Sequence, residues 1–239
     1  MDSIKISKQS TKMVAHRGLS GIERENALPA FVAAGNRSYF GIETDVHRTL
    51  DGKFVVIHDD RTGRVSPVDL SVEGSSFADL RALMLTDTDG EVGRCDLHIP
   101  TLDEYVKVCA RYEKVCVLEL KNEFCTNDIK AIVDQIERRG YLHNVIFISF
   151  SYENLVKLRT LLPNQKIQYL TGKYTEDLTE RLLAHSFDLD IWYGELTKER
   201  VDHLHDNNIE INCWTVDKKE DGERLASWGV DYITSNILE

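Results

Sequence analysis

Apolar and polar positions fall into repeating blocks along the chain. Short runs rich in apolar and β-branched residues recur from residue 115 onward: VCVLEL (115–120), VIFISF (145–150), KIQYLT (166–171), DLDIWY (188–193), EINCWTV (210–216) and DYITS (231–235). Runs of this length read as strands with buried faces, whereas a recurrence every three or four residues reads as an amphipathic helix. Between the runs the recurrence is helical. T-L-D-E at 101–104 predicts a capping box, followed by Leu102, Tyr105, Val106 and Cys109 on one face. The next helix is predicted over 127–140, with Asn127 or Asp128 as cap, Ile129, Ile132, Val133 and Ile136 inward, and Gly140 as stop. Further helices are predicted over 151–162, ended by Pro163, and near 175–185, 197–207 and 217–228.

The first part of the chain repeats the theme, with strands at 13–17 and 41–46 and a helix at about 27–37. Parallel strands need crossover connections of helical length, and eight such units in 239 residues predict an α/β fold, a (β/α)₈ TIM barrel. FVVIHD (54–59) cannot be another parallel strand, because only Asp51-Gly52-Lys53 precedes it. Asp-Gly is a hairpin turn, so the second barrel strand is expected to run past the rim and return antiparallel. Residues 60–100 carry several turn signals and read as an insertion beside the barrel mouth; the whole chain, 1–239, reads as one domain.

Composition narrows the partners. No run of 18 apolar residues is present, so no integral membrane segment is expected. The opening MDSIKISKQSTK lacks the apolar stretch of a secretory signal, and a cytoplasmic protein is expected. The five cysteines include no C-x-x-C pair and read as reduced, mostly core residues. A net charge of −11 argues against a nucleic-acid partner. It would also repel an anionic substrate unless a local group of cations or a bound metal reversed the field.

Barrel enzymes carry their chemistry at the C-terminal ends of the strands, where residues two apart share a face. Those ends bear His16 and Arg17, then Glu43 and Asp45, then Glu119 and Lys121, and the returning strand brings His58 to the same rim. Ser149, Trp192, Asn212 and Trp214 end later strands. Glu43, Asp45 and Glu119 converging on one mouth would repel one another without a cation between them. All-oxygen ligands favour Mg²⁺ or Ca²⁺ over zinc. With one divalent cation bound, Arg17 and Lys121 complete a positive pocket suited to a phosphate.

In order along the chain, H-R-G (16–18), E-N (25–26), I-E-T-D-V (42–46), T-L-D-G-K (49–53), V-V-I-H-D (55–59) and L-E-L-K (118–121) resemble the glycerophosphodiester phosphodiesterase family. I-S-F (148–150), C-W-T-V (213–216) and G-V-D-Y-I-T (229–234) extend the resemblance, which runs from about residue 12 to 236. It implies a TIM barrel with a small insertion, a divalent cation, and hydrolysis of small-molecule glycerophosphodiesters to glycerol 3-phosphate and an alcohol. Position by position it implies Glu43, Asp45 and Glu119 as metal ligands, His16 and His58 as the acid–base pair, and Arg17 and Lys121 as phosphate-facing cations. Two positions depart from the family's habit: Glu-Asn-Ala at 25–27 in place of Glu-Asn-Thr, and Thr-Ser-Asn at 234–236 where Thr-Asp is common.

One histidine would take a proton from the attacking group, water or the substrate's own glycerol 2-hydroxyl, and the other protonate the leaving oxygen. The sequence does not order the two, and His16 as base with His58 as acid is the order taken here. Trp192 and Trp214 read by default as core residues, Trp214 being the better placed for a substrate wall. Asn26 reads as a helix N-cap that also supports the site. His47, His98, His143, His185, His203 and His205 are assigned no chemistry. Three other functions compete. A lysophospholipase D of the same fold would need an acyl channel, which the insertion's Val65, Val68, Leu70, Val72, Phe77, Leu80, Leu83, Met84 and Leu85 could supply. A bacterial phosphatidylinositol-specific phospholipase C fits the H-R-G to E-x-D spacing less well. A non-catalytic phosphodiester-binding barrel would be expected to lack a member of the set, and none is missing.

Overall fold

The computed structural model describes residues 2–239. Its strands are β1 (Lys12–Ala15), β2 (Gly41–Arg48), β3 (Phe54–Val56), β4 (Val115–Leu120), β5 (Val145–Ser149), β6 (Lys166–Thr171), β7 (Asp188–Trp192), β8 (Ile211–Trp214) and β9 (Tyr232–Ser235). All but β3 pair in parallel in the ring order β1-β2-β4-β5-β6-β7-β8-β9. The ring closes where Ala15 lies opposite both Ile42 of β2 and Ser235 of β9. The fold is therefore the expected (β/α)₈ barrel. Its helices are α1 (Leu28–Gly35), α2 (Phe77–Arg81), α3 (Leu102–Arg111), α4 (Thr126–Glu137), α5 (Tyr152–Leu161), α6 (Leu178–Ala184), α7 (Lys198–Asp206) and α8 (Lys219–Trp228).

Local chemistry sets the boundaries. Thr101 and Glu104 form the capping box of α3, Ser151 caps α5 through the Asn154 amide, and Gly229 ends α8 at φ +90°, a conformation open to glycine. Helix α4 starts at Thr126 with Cys125 at the N-cap, so neither Asn127 nor Asp128 caps it. Helix α8 starts at Lys219, later than expected, because the Asp217 carboxylate is engaged by Ser235 and Asn236 across the end of β9. The hairpin at Asp51-Gly52 returns the chain antiparallel as β3. β3 stops at Val56, short of residue 59. Beyond it the Ile57 amide still reaches the Asp45 carbonyl, and His58 lies in the loop that follows.

Most of the core lies between the strands and the surrounding helices. A smaller cluster fills the barrel itself: Val14, Val117, Ile146, Ile148, Leu170 and Tyr232. The insertion has its own apolar cluster, in which Val65, Val72, Leu80, Leu83 and Leu85 pack on Ala27, Val55 and Ile57. Of its nine apolar residues named above, only Val68 is exposed, so packing accounts for the set without an acyl channel. Cys109, Cys116 and Cys213 are buried free thiols, while Cys95 and Cys125 are exposed. Trp192 is 44 % exposed at the end of β7 and is not a core residue. Among the described residues no helix is long and apolar enough to cross a membrane.

Candidate active site

The site is built where β1, β2 and β4 end together. After Ala15 the chain turns sharply through Arg17 at φ +54° and Gly18 at φ +78°. A Cβ on Gly18 would lie 2.7 Å from Ala30, so glycine is required there for contact as well as conformation. The turn leaves His16 and Arg17 over the mouth. On β2 Glu43 and Asp45 are separated by one period of the strand, and Glu119 on β4 sits in register with Asp45. Oxygens of these three buried carboxylates come within 4.8 Å of one another.

Cations and amides surround the trio. The Arg17 backbone N–H donates to Glu43 Oε2 at 2.8 Å, and its Nε lies 3.6 Å from Asp45 Oδ2. Lys121 Nζ is 3.2 Å from Glu119 Oε1 and 3.6 Å from Asp45 Oδ1. Asn26 donates from Nδ2 to Asp45 Oδ2 at 2.8 Å and accepts from Thr44 Oγ1 at 2.6 Å. Asn26 therefore does not cap α1, whose N-cap is Ala27; its amide orients a carboxylate instead.

Charge is balanced unevenly. Burial, then the neighbouring Asp45 charge, pushes Glu119 up to about 8 and Glu43 well above the usual carboxylate range. Asp45 moves the other way: burial opposes its charge, but Arg17, Lys121 and the Asn26 hydrogen bond hold it below the usual range. Two positive side chains do not satisfy three clustered carboxylates. The all-oxygen donor set and its tight spacing fit a hard divalent cation.

The two histidines are held by different partners. His16 Nδ1 lies 2.7 Å from Asn236 Oδ1. Asn236 donates from Nδ2 to Asp217 Oδ2 at 2.6 Å and from its backbone N–H to Asp217 Oδ1 at 2.8 Å. A carboxylate only accepts, so the Asn236 carbonyl must face the histidine, which then carries its hydrogen on Nδ1 and leaves Nε2 free to accept. Burial and the Arg17 charge lower the His16 pKa to about 4. His58 Nδ1 instead donates to Asp59 Oδ1 at 2.5 Å. Asp59 pairs with Arg64, Arg64 grips both oxygens of Glu25 at 2.6 and 2.8 Å, and Glu25 pairs with Arg17 at 2.8 Å. This chain of ion pairs ties His58 to Arg17 across the rim. Burial lowers the His58 pKa, and the Asp45 charge and Asp59 hydrogen bond oppose that shift.

His16, His58, the two cations, Glu43 and Glu119 open onto one cavity with about 370 Å³ of space, open to solvent at its mouth. His16, Arg17, Glu43, His58, Glu119 and Lys121 form one wall; Ile148, Phe150, Leu170, Asp190, Trp214 and Thr234 form the other. Trp214 meets Phe150 edge-to-face at 5.8 Å. Asp45 lies beneath the first wall. Trp192, Ser149 and Asn212 do not line the cavity; Ser149 is buried and donates to the Leu120 carbonyl. His47 is buried beside the site, between Glu73 and the His58 carbonyl. Sequence reasoning missed Asn236, Asp217, Asp59, Arg64, Phe150 and Asp190. The strand-end rule extended one residue past β9 points to Asn236, and the same rule on the inward positions of β7 points to Asp190.

A family model described as Glycerophosphoryl diester phosphodiesterase family matches residues 16–238. The chain belongs to this family. As a glycerophosphoryl diester phosphodiesterase family member it falls in the class of phosphoric diester hydrolases. It is 29% identical over 235 residues to a glycerophosphodiester phosphodiesterase of Caldanaerobacter subterraneus subsp. tengcongensis, covering 96% of this chain and 95% of that one. A crystal structure of a family member from Thermotoga maritima is 26% identical, with a TM-score of 0.77 over 95% of this chain and 94% of the other. An Oleispira antarctica phosphodiesterase, solved in complex with the product sn-glycerol-3-phosphate, shares the fold with a TM-score of 0.82 at 24% identity, over 95% of this chain and 93% of that one.

Proposed function

We propose that the protein hydrolyses glycerophosphodiesters to glycerol 3-phosphate and an alcohol, using one divalent cation, Mg²⁺ or Ca²⁺, held by Glu43, Asp45 and Glu119. The observation that carries this reading is the meeting of two cations, two differently partnered histidines and two carboxylates on one cavity wall, with Asp45 completing the carboxylate trio. The T. maritima and C. subterraneus relatives named above carry the same activity in their names.

When bound, the cation supplies Lewis-acid charge that stabilises a phosphate dianion in the making. Arg17 Nε is buried and, beyond the 3.6 Å contact with Asp45, has no hydrogen-bond acceptor among the described residues, so it can donate to a non-bridging phosphate oxygen. Lys121 adds a second positive charge on the same wall. His16, with Nδ1–H committed to a neutral amide, accepts the proton of the attacking hydroxyl on Nε2. If the hydroxyl is water, its oxygen bonds to phosphorus as the bond to the leaving alcohol breaks, giving glycerol 3-phosphate directly. If it is the glycerol 2-hydroxyl, the same exchange gives a cyclic phosphate, which a water then opens to glycerol 3-phosphate. His58 gives the leaving alcohol oxygen its proton, and the Asp59 carboxylate stabilises the protonated imidazole beforehand.

The test is product identity. Incubation with glycerophosphocholine, glycerophosphoethanolamine and glycerophosphoglycerol in Mg²⁺ or Ca²⁺ should release glycerol 3-phosphate and the free alcohol one to one. Release of glycerol with phosphocholine or phosphoethanolamine, or no cleavage of any of the three, would overturn the reading.

A further inference from the structure

The wall of the cavity facing the carboxylates carries two polar groups that have no partner among the described residues and that the mechanism does not use. Asp190 is buried at 2 % exposure on β7, and its Oδ1 has no hydrogen-bond partner. Trp214 Nε1, on the adjacent β8, is also buried and unpartnered. Asp190 lies in register with Asn212, two residues before Trp214, so the two side chains are diagonal neighbours on the inner face. Asn212 does not serve Asp190: its Nδ2 donates to Gln168 and its Oδ1 accepts from Thr234. Strand β7 is four strands from β2 in either direction around the ring, so Asp190 stands across the barrel from Glu43. Burial pushes the Asp190 carboxyl well above its usual range, and no cation among the described residues offsets this. A buried carboxyl without a partner destabilises the protein in which it sits. Such a group is expected where a ligand completes it.

We propose that Asp190 and Trp214 form the subsite for the terminal glycerol hydroxyl of the substrate, and so select glycerol over other alcohols. The proposal rests on the phosphodiesterase reading above. A hydroxyl is both donor and acceptor, so one such group satisfies both orphans: it donates to Asp190 and accepts from the Trp214 N–H. A quaternary ammonium headgroup would meet the carboxyl but leave the indole N–H unpaired. Depth points the same way. Asp190 is buried, whereas Phe150 on the same wall is 47 % exposed at the mouth. The constant glycerol arm therefore lies inward, and the variable alcohol leaves past Phe150.

The experiment compares kcat/KM for glycerophosphocholine with that for the choline phosphodiester of propane-1,2-diol, which lacks only the terminal hydroxyl. The wild type should prefer the glycerol substrate by roughly 10- to 100-fold, the discrimination expected from a buried hydrogen-bonding pair. Asp190→Leu should bring the ratio close to one and raise the melting temperature, since an orphaned carboxyl is removed. Trp214→Phe keeps the ring but not the N–H, and should lower the ratio independently. A ratio unchanged in both variants of an active enzyme would overturn the subsite alone. So would a loss on Asp190→Leu confined to choline esters and absent with glycerophosphoglycerol, which would assign Asp190 to a cationic headgroup. No glycerol 3-phosphate from the wild type on any substrate would overturn the phosphodiesterase reading and the subsite with it.

Discussion

Asn236 Oδ1 faces His16 Nδ1 at 2.7 Å, and Asp217 keeps it there by accepting from the backbone N–H and from Nδ2 of Asn236. A neutral amide thus fixes the tautomer of a histidine, and its hydrogen bond favours the charged ring less than burial and Arg17 disfavour it. Asn236→Ala should lower kcat about 10- to 100-fold through misorientation of the ring, with a smaller change in KM. Steady-state kinetics on glycerophosphocholine checks this, and an unchanged kcat would remove Asn236 from the site.

His58 is held by a carboxylate, and that carboxylate by Arg64. His16→Ala and His58→Ala should each reduce turnover by roughly 100- to 10,000-fold without loss of fold, as measured by circular dichroism beside the rate. Asp59→Asn should cost less than either. Near-normal turnover in either histidine variant would exclude it from the proton transfers.

The carboxylate trio predicts a link between pH, cation and stability. Glu119 is raised to about 8 in the folded chain, against an ordinary unfolded value near 4.5. The folded state therefore binds more protons than the unfolded state between these values, and cation-free protein should lose stability as pH rises through that window, by at most ~1.4 kcal/mol per pH unit for each such proton. Glu43, raised for the same reasons, adds to the trend. Because a cation competes with those protons, the thermal shift produced by Mg²⁺ or Ca²⁺ should be larger at pH 8 than at pH 5.5. A shift independent of pH would contradict this.

Asn26 sits at φ +52° and joins Asp45 to Thr44 from a buried position. Asn26→Ala leaves both unpaired and forces alanine into a left-handed conformation, so it should destabilise the protein by about 1–3 kcal/mol in urea unfolding. Asn26→Gly keeps the backbone conformation and isolates the loss of the amide.

The barrel was legible because its strands and helices differ in period, and each strand end places chemistry at a known spacing. Glu43, Asp45 and Glu119 could be read off as a converging group from a period of two on neighbouring strands. The hairpin at Asp51-Gly52 was equally plain. What escaped depends on contacts distant in sequence. Asn26 looks like a cap because Asn commonly caps helices, yet a carboxylate 19 residues away decides its role. Asn236 and Asp217 meet only after β9 closes the ring. Asp190 lies in an alternating strand whose inward face becomes a cavity wall only once eight strands surround it. Trp192 and Trp214 both end strands, but only the second reaches the cavity.

The most direct test of the metal-dependent diesterase is chelation followed by re-addition. EDTA should abolish release of glycerol 3-phosphate from glycerophosphocholine, and Mg²⁺ or Ca²⁺ should restore it in the wild type. The same addition should fail in Glu43→Gln and Glu119→Gln, which keep the shape of the side chain without its charge. Undiminished hydrolysis in EDTA, or full restoration in both variants, would contradict the cation site at the centre of the mechanism.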